Sequence, residues 1–594
     1  MRSNRAGRAT IQDAVAAGIL RTGRRYPDHT LSPMTSAAPA PRIGGHILVD
    51  NLIAHGADLV FGVPGESYLA VLDGLHGRED RIRYIICRHE GGASNMAEAY
   101  GKLTGRPGIC MVTRGPGATN ASIGVHTAFQ DSTPMILFIG QVGSDFVDRE
   151  AFQEVDYRQM FGPLAKWAAQ IDRADRIPEY VSQAFHVATS GRPGPVVLAL
   201  PEDMLTQEAS VADAPAYKRV QAAPAPGDIA RLTDLLANAK APIAILGGGG
   251  WDLQSLADIR AFIETWSLPV GCAFRFQDLF DNTHSNYAGD VGIGINPKLA
   301  ARVRDADVVL AIGPRLGEMT TSGYTLFTPP VPKQKLVHVH AGAGELGRVY
   351  QGELLINSSM PRFAEAVART APSAPVAWAG ATQEANADYR AYRVPQPMPG
   401  PVDMAQVVFD CIDVLPDDAI ITNGAGNYAT WVHRFYSYRR FRTQLAPTSG
   451  AMGYGVPAAV AAAIKHPERT VVCFAGDGCF LMTAQEMATV VQYGAKVIFI
   501  VVNNGMYGTI RMHQEREYPA RISGTELHNP DFVLMAKSFG LDAELVLRTE
   551  EFRPALLRAQ ERKGSTLLEL RIDPDAISPR TTLSALRAAA QART

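Results

Sequence analysis

The sequence predicts an α/β protein of three domains, each a doubly wound parallel sheet with helices on both faces. Three observations lead there. Short apolar runs bounded by Gly, Pro or charged residues alternate with stretches of helical spacing, the pattern of repeated βα units. Two Pro-rich, aperiodic stretches, residues 212–228 and 372–401, divide the chain into three such blocks. The length of 594 residues suits three to five domains at roughly 100–200 residues each.

The first block, residues 42–211, opens with helical spacing over 47–55. Strands are expected at 59–63, 84–87, 108–113, 135–139 and 196–200, with helical stretches between them. The middle block, 229–371, carries strands at 243–246, 308–312 and 335–340. The third, 402–575, carries strands at 419–422, 471–474, 497–502 and 566–570, and residues 576–594 read as a tail. No internal sequence repeat relates the blocks. Residues 1–41 read as a disordered extension. Within it, residues 1–33 hold six Arg against two Asp, and Met34 reads as an ordinary start. An organelle transit peptide is the alternative for this Arg-rich, acid-poor segment.

Composition excludes several classes of function. The 57 Lys and Arg against 59 Asp and Glu leave a net charge of −2, without the basic footprint of a nucleic-acid binder. No apolar run approaches the ~20 residues of a membrane span. Six scattered Cys without a CxxC pair predict neither a disulfide framework nor a zinc site, and a reducing cytoplasm as the compartment.

The chemistry concentrates in the third block. Val471–Phe474 reads as a strand running into Ala475-Gly476-Asp477-Gly478, followed by a helix over 482–493. A second strand, 497–502, ends in Asn503-Asn504-Gly505-Met506. Both loops then lie at the carboxyl ends of parallel strands, where open α/β sheets bind ligands. Glycines let backbone N–H groups approach phosphate, and the following helix offers its N-terminus. Asp477 and Asn504 are hard oxygen donors suited to Mg2+. In the first block, the strand at 84–87 delivers Glu90 to the Gly-rich start of a helix.

A Gly-Asp-Gly followed after 24 residues by Asn-Asn resembles the diphosphate- and magnesium-binding motif of thiamine diphosphate enzymes. Further segments resemble acetolactate (acetohydroxyacid) synthases in the same order. They are Phe61–Gly65, Gly115–Asn120, Gly140–Val142, Ala151–Glu154, Lys166-Trp167, Gly191–Pro195 and Gly450–Gly455.

The resemblance covers about residues 42–575 and implies a pyrimidine-binding first domain, a Rossmann-like middle domain and a diphosphate-binding third domain. It implies that Glu90 hydrogen-bonds the cofactor's aminopyrimidine, and that Gln141 and Lys166 face the reaction centre or its access channel. Gly424, Ala425, Gly426 and Asn427 would help bind the diphosphate together with Gly476, Asp477, Gly478 and Cys479, and Met452 would wedge under the cofactor. Asp477, Asn504 and the Met506 carbonyl would hold Mg2+. The implied reaction decarboxylates a small 2-oxo acid and joins the remainder to an acceptor carbonyl. A simple decarboxylase or lyase is the runner-up, and a catalytically silent homologue the third reading. The implied assembly is a homodimer or homotetramer with active sites between subunits.

The resemblance breaks in one pocket. Where the family carries RFDDR, this chain has Arg315-Leu316-Gly317-Glu318-Met319. The first Arg is kept and would face a flavin. The second, which in the family engages the acceptor's carboxylate, is Met319. A family tryptophan falls at His513 and a pocket methionine at Asp290. Methionine cannot supply a charge-assisted contact, so weak recognition of a second keto acid is expected unless Arg511 or Arg275 supplies the charge. Two readings stand for the loop holding Gly248 and Gly249. It is either a dinucleotide loop for FAD with Arg315, or a packing turn. The acidic residue expected to meet a ribose after the 335–340 strand is missing.

Overall fold

The structure, a computed structural model, describes residues 39–593. The expected Arg-rich extension and the start at Met34 lie outside the described residues. Each of the three domains holds a six-stranded, wholly parallel sheet. The first contains β1 (Leu59–Gly62), β2 (Arg83–Ile86), β3 (Gly108–Val112), β4 (Met135–Gln141), β5 (Trp167–Gln170) and β6 (Pro195–Pro201), in spatial order β2-β1-β3-β4-β6-β5. The middle contains β7 (Ile243–Leu246), β8 (Val270–Ala273), β9 (Tyr287–Val291), β10 (Val308–Ile312), β11 (Lys335–His340) and β12 (Leu354–Asn357), in order β9-β8-β7-β10-β11-β12. The third contains β13 (Ile420–Asn423), β14 (Gln444–Leu445), β15 (Val471–Gly476), β16 (Ile498–Asn503), β17 (Asp542–Val546) and β18 (Thr566–Arg571), in order β14-β13-β15-β16-β18-β17.

The outer domains thus share one strand order that no sequence repeat announces. The middle domain has the order of dinucleotide-binding folds. Central strands such as β4, β6 and β15 are buried at every position. Helices cover both faces, so these strands read as continuous rather than alternating apolar runs.

One hydrophobic core runs through both outer domains. The helix Glu90–Thr104 packs there against Gly455–Lys465. Gly92, Ala93, Ala97 and Gly101 on one helix, and the alanines from Ala458 to Ala463 on the other, are buried small residues. With no bulk between them the two backbones approach closely.

Three expectations are corrected. The Pro-rich stretch 372–401 is not a linker throughout. It contains the helix Ala379–Tyr392, and Trp378 and Tyr389 complete the middle core. Residues 576–594 are not a loose tail. Helix Leu583–Gln591 packs on helix Gly508–Glu517, where Arg587 donates to the buried Glu515 at 2.6 and 2.8 Å. The helix expected over 482–493 is broken: Asp477–Leu481 is helical, Ala484–Glu486 is a 3-10 turn, and a second helix spans Met487–Gln492.

Candidate active site

β15 and β16 are adjacent and parallel, with Gly476 in register with Val502. Their loops therefore meet at the carboxyl edge of the third sheet. Asp477 opens a helix and is 3% exposed. Its Oδ1 accepts the N–H of Gly478 at 2.9 Å, and its Oδ2 accepts the N–H of Gly505 at 2.9 Å and Asn529 Nδ2 at 2.8 Å. Asn529 Nδ2 also reaches Asn503 Oδ1 at 3.0 Å, tying the two loops. Burial pushes the Asp477 carboxyl up, opposed by the Asn529, Gly478 and Gly505 hydrogen bonds.

Among the described residues no Lys or Arg pairs with Asp477. Half-buried Asn504 and Met506 follow directly, the Met506 N–H donating to Asn504 Oδ1 at 3.3 Å. A buried carboxylate without a cationic partner, flanked by an amide oxygen and main-chain carbonyls, fits a hard divalent cation. Asn529 had no sequence signal: it lies 25 residues beyond Asn504.

Gly424 begins the loop after β13. A Cβ there would lie 2.5 Å from Cys479 Sγ. Tyr428, which the sequence reading passed over, accepts the Gly424 N–H at 3.0 Å and donates to Cys479 Sγ at 3.4 Å. The Gly453 N–H reaches the same sulfur at 3.2 Å. Tyr428 and Cys479 thus knit the 424–428, 450–454 and 476–479 loops into one cradle, with half-buried Met452 on its rim. Asn427 Oδ1 accepts from Thr509 at 3.0 Å. This cradle fits a diphosphate group.

Glu90 is the first residue of its helix, with His89 as the cap accepting the Gly91 N–H at 3.0 Å. Its Oε2 accepts from Asn120 Nδ2 at 2.9 Å. The thiol beside its charge is Cys110, pushed up by burial and then by Glu90. Cys87, on the strand before Glu90, donates to the Ile85 carbonyl at 3.5 Å and is pushed up by burial and then by the Glu486 charge. Gln141 ends β4 and is 5% exposed, with its Nε2 on the Val155 carbonyl at 2.8 Å. Lys166 caps the Ile177–Thr189 helix through the carbonyls of Val187 and Ser190, and burial brings it down to about 8. Neither lines the large cavity described next.

That cavity, about 940 Å3, lies between the middle and third domains, with His126, Gln130 and Asp131 of the first domain in its wall. It reaches the middle domain's switch point, where the loops after neighbouring β7 and β10 meet. Gly248 has φ +70°, and a Cβ there would lie 2.0 Å from the Gly313 carbonyl. A Cβ on Gly249 would lie 2.6 Å from the Ser132 carbonyl. Arg315 donates to Gln130 at 3.1 Å and lies 3.7 Å from Glu345.

The ribose end of a flavin dinucleotide is not matched. His338 and His340 stand at the end of β11, and Glu345 beyond them is held by Arg192 and Arg348. These residues do not fit FAD. Asp290 in the cavity wall has an Oδ1 without a partner, and burial brings its carboxyl up to about 7 against the pull of Arg275. The two candidate replacements for the lost arginine are both committed elsewhere. Buried Arg511 pairs with Glu515 at 2.8 Å. Arg275 donates to the carbonyls of Pro447 and Gly424.

Three protein-family profiles match in chain order: the N-terminal TPP binding domain of thiamine pyrophosphate enzymes over residues 42–160, their central domain over 229–367, and their C-terminal TPP binding domain over 424–570. The chain is 33% identical to the acetolactate synthase large subunit of Corynebacterium glutamicum, covering 89% of this chain and 86% of that protein. It is 31% identical to that of Parasynechococcus marenigrum, covering 90% and 88%. Isozyme 2 of Escherichia coli is 29% identical, over 89% and 95%. The chain belongs to the thiamine pyrophosphate enzymes, in the family of acetolactate synthase large subunits. Among the described residues no helix is long and apolar enough to cross a membrane.

Proposed function

We propose that the protein decarboxylates a 2-oxo acid of the pyruvate type with thiamine diphosphate and Mg2+, and joins the remaining acyl unit to an acceptor carbonyl. The product is a 2-hydroxy-2-alkyl acid or a 2-hydroxy ketone. The observation that carries this reading is Asp477, a buried carboxylate without a cationic partner, beside Asn504 and Met506 at adjacent strand ends. The names of the relatives support the same chemistry.

Bound thiamine diphosphate supplies a nucleophilic carbon and an electron sink for decarboxylation. Asp477, Asn504 and the Met506 carbonyl would hold Mg2+. The loops at 424–427 and 476–479 would bind the diphosphate, with Met452 beside them for the cofactor. Glu90 holds a proton at the pyrimidine nitrogen, in a site that Asn120 orients and Cys110 backs. Gln141 and Lys166, each held by main-chain contacts, would face the reaction centre or its access channel.

The active assembly is a homodimer or homotetramer. Among the described residues the Glu90 carboxylate bonds only within its own domain, which suits a carboxylate serving a cofactor held by another subunit. A lyase that returns a proton in place of the acceptor is the second reading, favoured by Met319 and His513 in the acceptor pocket. Incubating purified protein with thiamine diphosphate, Mg2+ and a panel of 2-oxo acids, with products identified by mass spectrometry, separates the two. Carbon dioxide without any carbon–carbon bond formation would leave the lyase.

A further inference from the structure

Five arginines line the 940 Å3 cavity: Arg275, Arg315, Arg434, Arg516 and Arg580. Four have partners. Arg275 and Arg315 are held as described above. Arg434 donates to the carbonyls of Tyr392 at 2.9 Å and Pro579 at 2.8 Å and stacks on the Tyr392 ring at 4.1 Å. Arg516 pairs with Glu517 at 3.0 Å and donates to His513 at 2.5 Å.

Arg580 is different. Among the described residues its guanidinium has no carboxylate, carbonyl or ring partner. Its guanidinium lies beside Gly294 of the middle domain, where a Cβ would lie 3.4 Å from Nη2, and within electrostatic reach of the like-charged Arg434. The backbone under Arg580 is nevertheless fixed. Ser578 and Thr581 form a bridge, Arg434 clamps the Pro579 carbonyl, and the following helix is anchored through Arg587 to Glu515. A fixed segment thus presents an exposed, unpaired cation in the lining of a cavity that also holds Met319, His513 and Asn427.

Resting on the reading above, we propose that Arg580 binds the carboxylate of a 2-oxo acid acceptor, as the specificity-determining residue for acids over aldehydes. Guanidinium and carboxylate match as a two-pronged, charge-assisted pair. The positive charge absent at Met319 is in this way supplied by the C-terminal segment, which lines the same cavity.

The test is a competition inside one reaction. The holoenzyme receives pyruvate together with acetaldehyde, and the ratio of acetolactate to the aldehyde-derived hydroxy ketone is measured by mass spectrometry. Arg580→Gln is expected to lower that ratio about ten- to a hundredfold, the worth of one charge-assisted pair. Arg580→Lys should recover part of it, because charge returns without the fork. The KM for pyruvate as acceptor should rise more than kcat falls. A ratio within twofold of the unmodified protein, or a loss seen with Arg516→Gln and not with Arg580→Gln, overturns the inference while leaving the carboligase reading intact. An unmodified protein that makes the hydroxy ketone but no acetolactate overturns the inference alone, and one that makes neither overturns both.

Discussion

The carboxylate of Glu486 accepts the main-chain N–H of His89 at 3.0 Å, although 397 residues separate them. The Arg88 N–H donates to the same carboxylate at 3.0 and 3.2 Å, and Thr489 Oγ1 at 2.6 Å. Glu486 is 0% exposed. It belongs to the domain that carries Asp477, and it fixes the turn that presents Glu90. The Glu90 half-site and the Asp477 half-site, which in the proposed assembly serve different cofactors, are thereby mechanically linked within one chain.

Glu486→Ala would strand two N–H groups in a dry interface. A buried unsatisfied group costs about 1–3 kcal/mol. We expect a lower unfolding midpoint and slower C2–H exchange of bound thiamine diphosphate, with Glu486→Gln intermediate because one acceptor oxygen remains. Thermal unfolding followed with exchange by NMR checks both. Normal exchange in Glu486→Ala would make the contact purely structural.

Glu90→Gln should behave differently. The side chain keeps its size and can still meet Asn120, so folding and cofactor affinity stay nearly unchanged. Exchange at C2 should slow by roughly 10²–10⁴-fold, the worth of a positioned acid–base group. Unaltered exchange would remove Glu90 from its assigned role.

Asp477→Ala should act on binding. Mg2+ loses its one anionic protein ligand, and the Gly505 and Asn529 donors lose their acceptor. Half-maximal activation should require much higher Mg2+ and thiamine diphosphate, measurable by calorimetric titration. Full occupancy at stoichiometric metal and cofactor would contradict the assignment.

Asp290 gives a pH prediction. Its carboxyl is raised from 3.8 to about 7, burial being the first cause and Arg275 opposing it; Cys272, Tyr287 and Tyr389 are its other titratable neighbours. The folded state therefore binds the proton more tightly than the unfolded chain, and stability falls as pH rises from about 4 to about 7. Asp290→Asn cannot ionise. Its unfolding midpoint should match the unmodified protein under acid conditions and exceed it progressively toward neutral pH. A difference independent of pH would show that Asp290 stays ionised.

The sequence by itself determined the three α/β blocks, the strand–loop junctions at Asp477, Asn504 and Glu90, and the family. These signals are local. A strand that ends in glycine beside a carboxylate is written in consecutive residues, because phosphate binding uses backbone N–H groups just past a strand end.

What stands far apart in the chain was decided only by tertiary structure. Helix Ala379–Tyr392 hid in a Pro-rich stretch because its apolar face is legible only against Trp266 and Tyr287. Arg275 and Arg511 read as free cations, yet folding brought them to the Gly424 and Pro447 carbonyls and to Glu515. Arg580 read as part of a tail until the last helix docked and left its guanidinium in the cavity lining. A side chain's charge is fixed by its type, but its availability depends on which partners loop closure brings within about 3 Å.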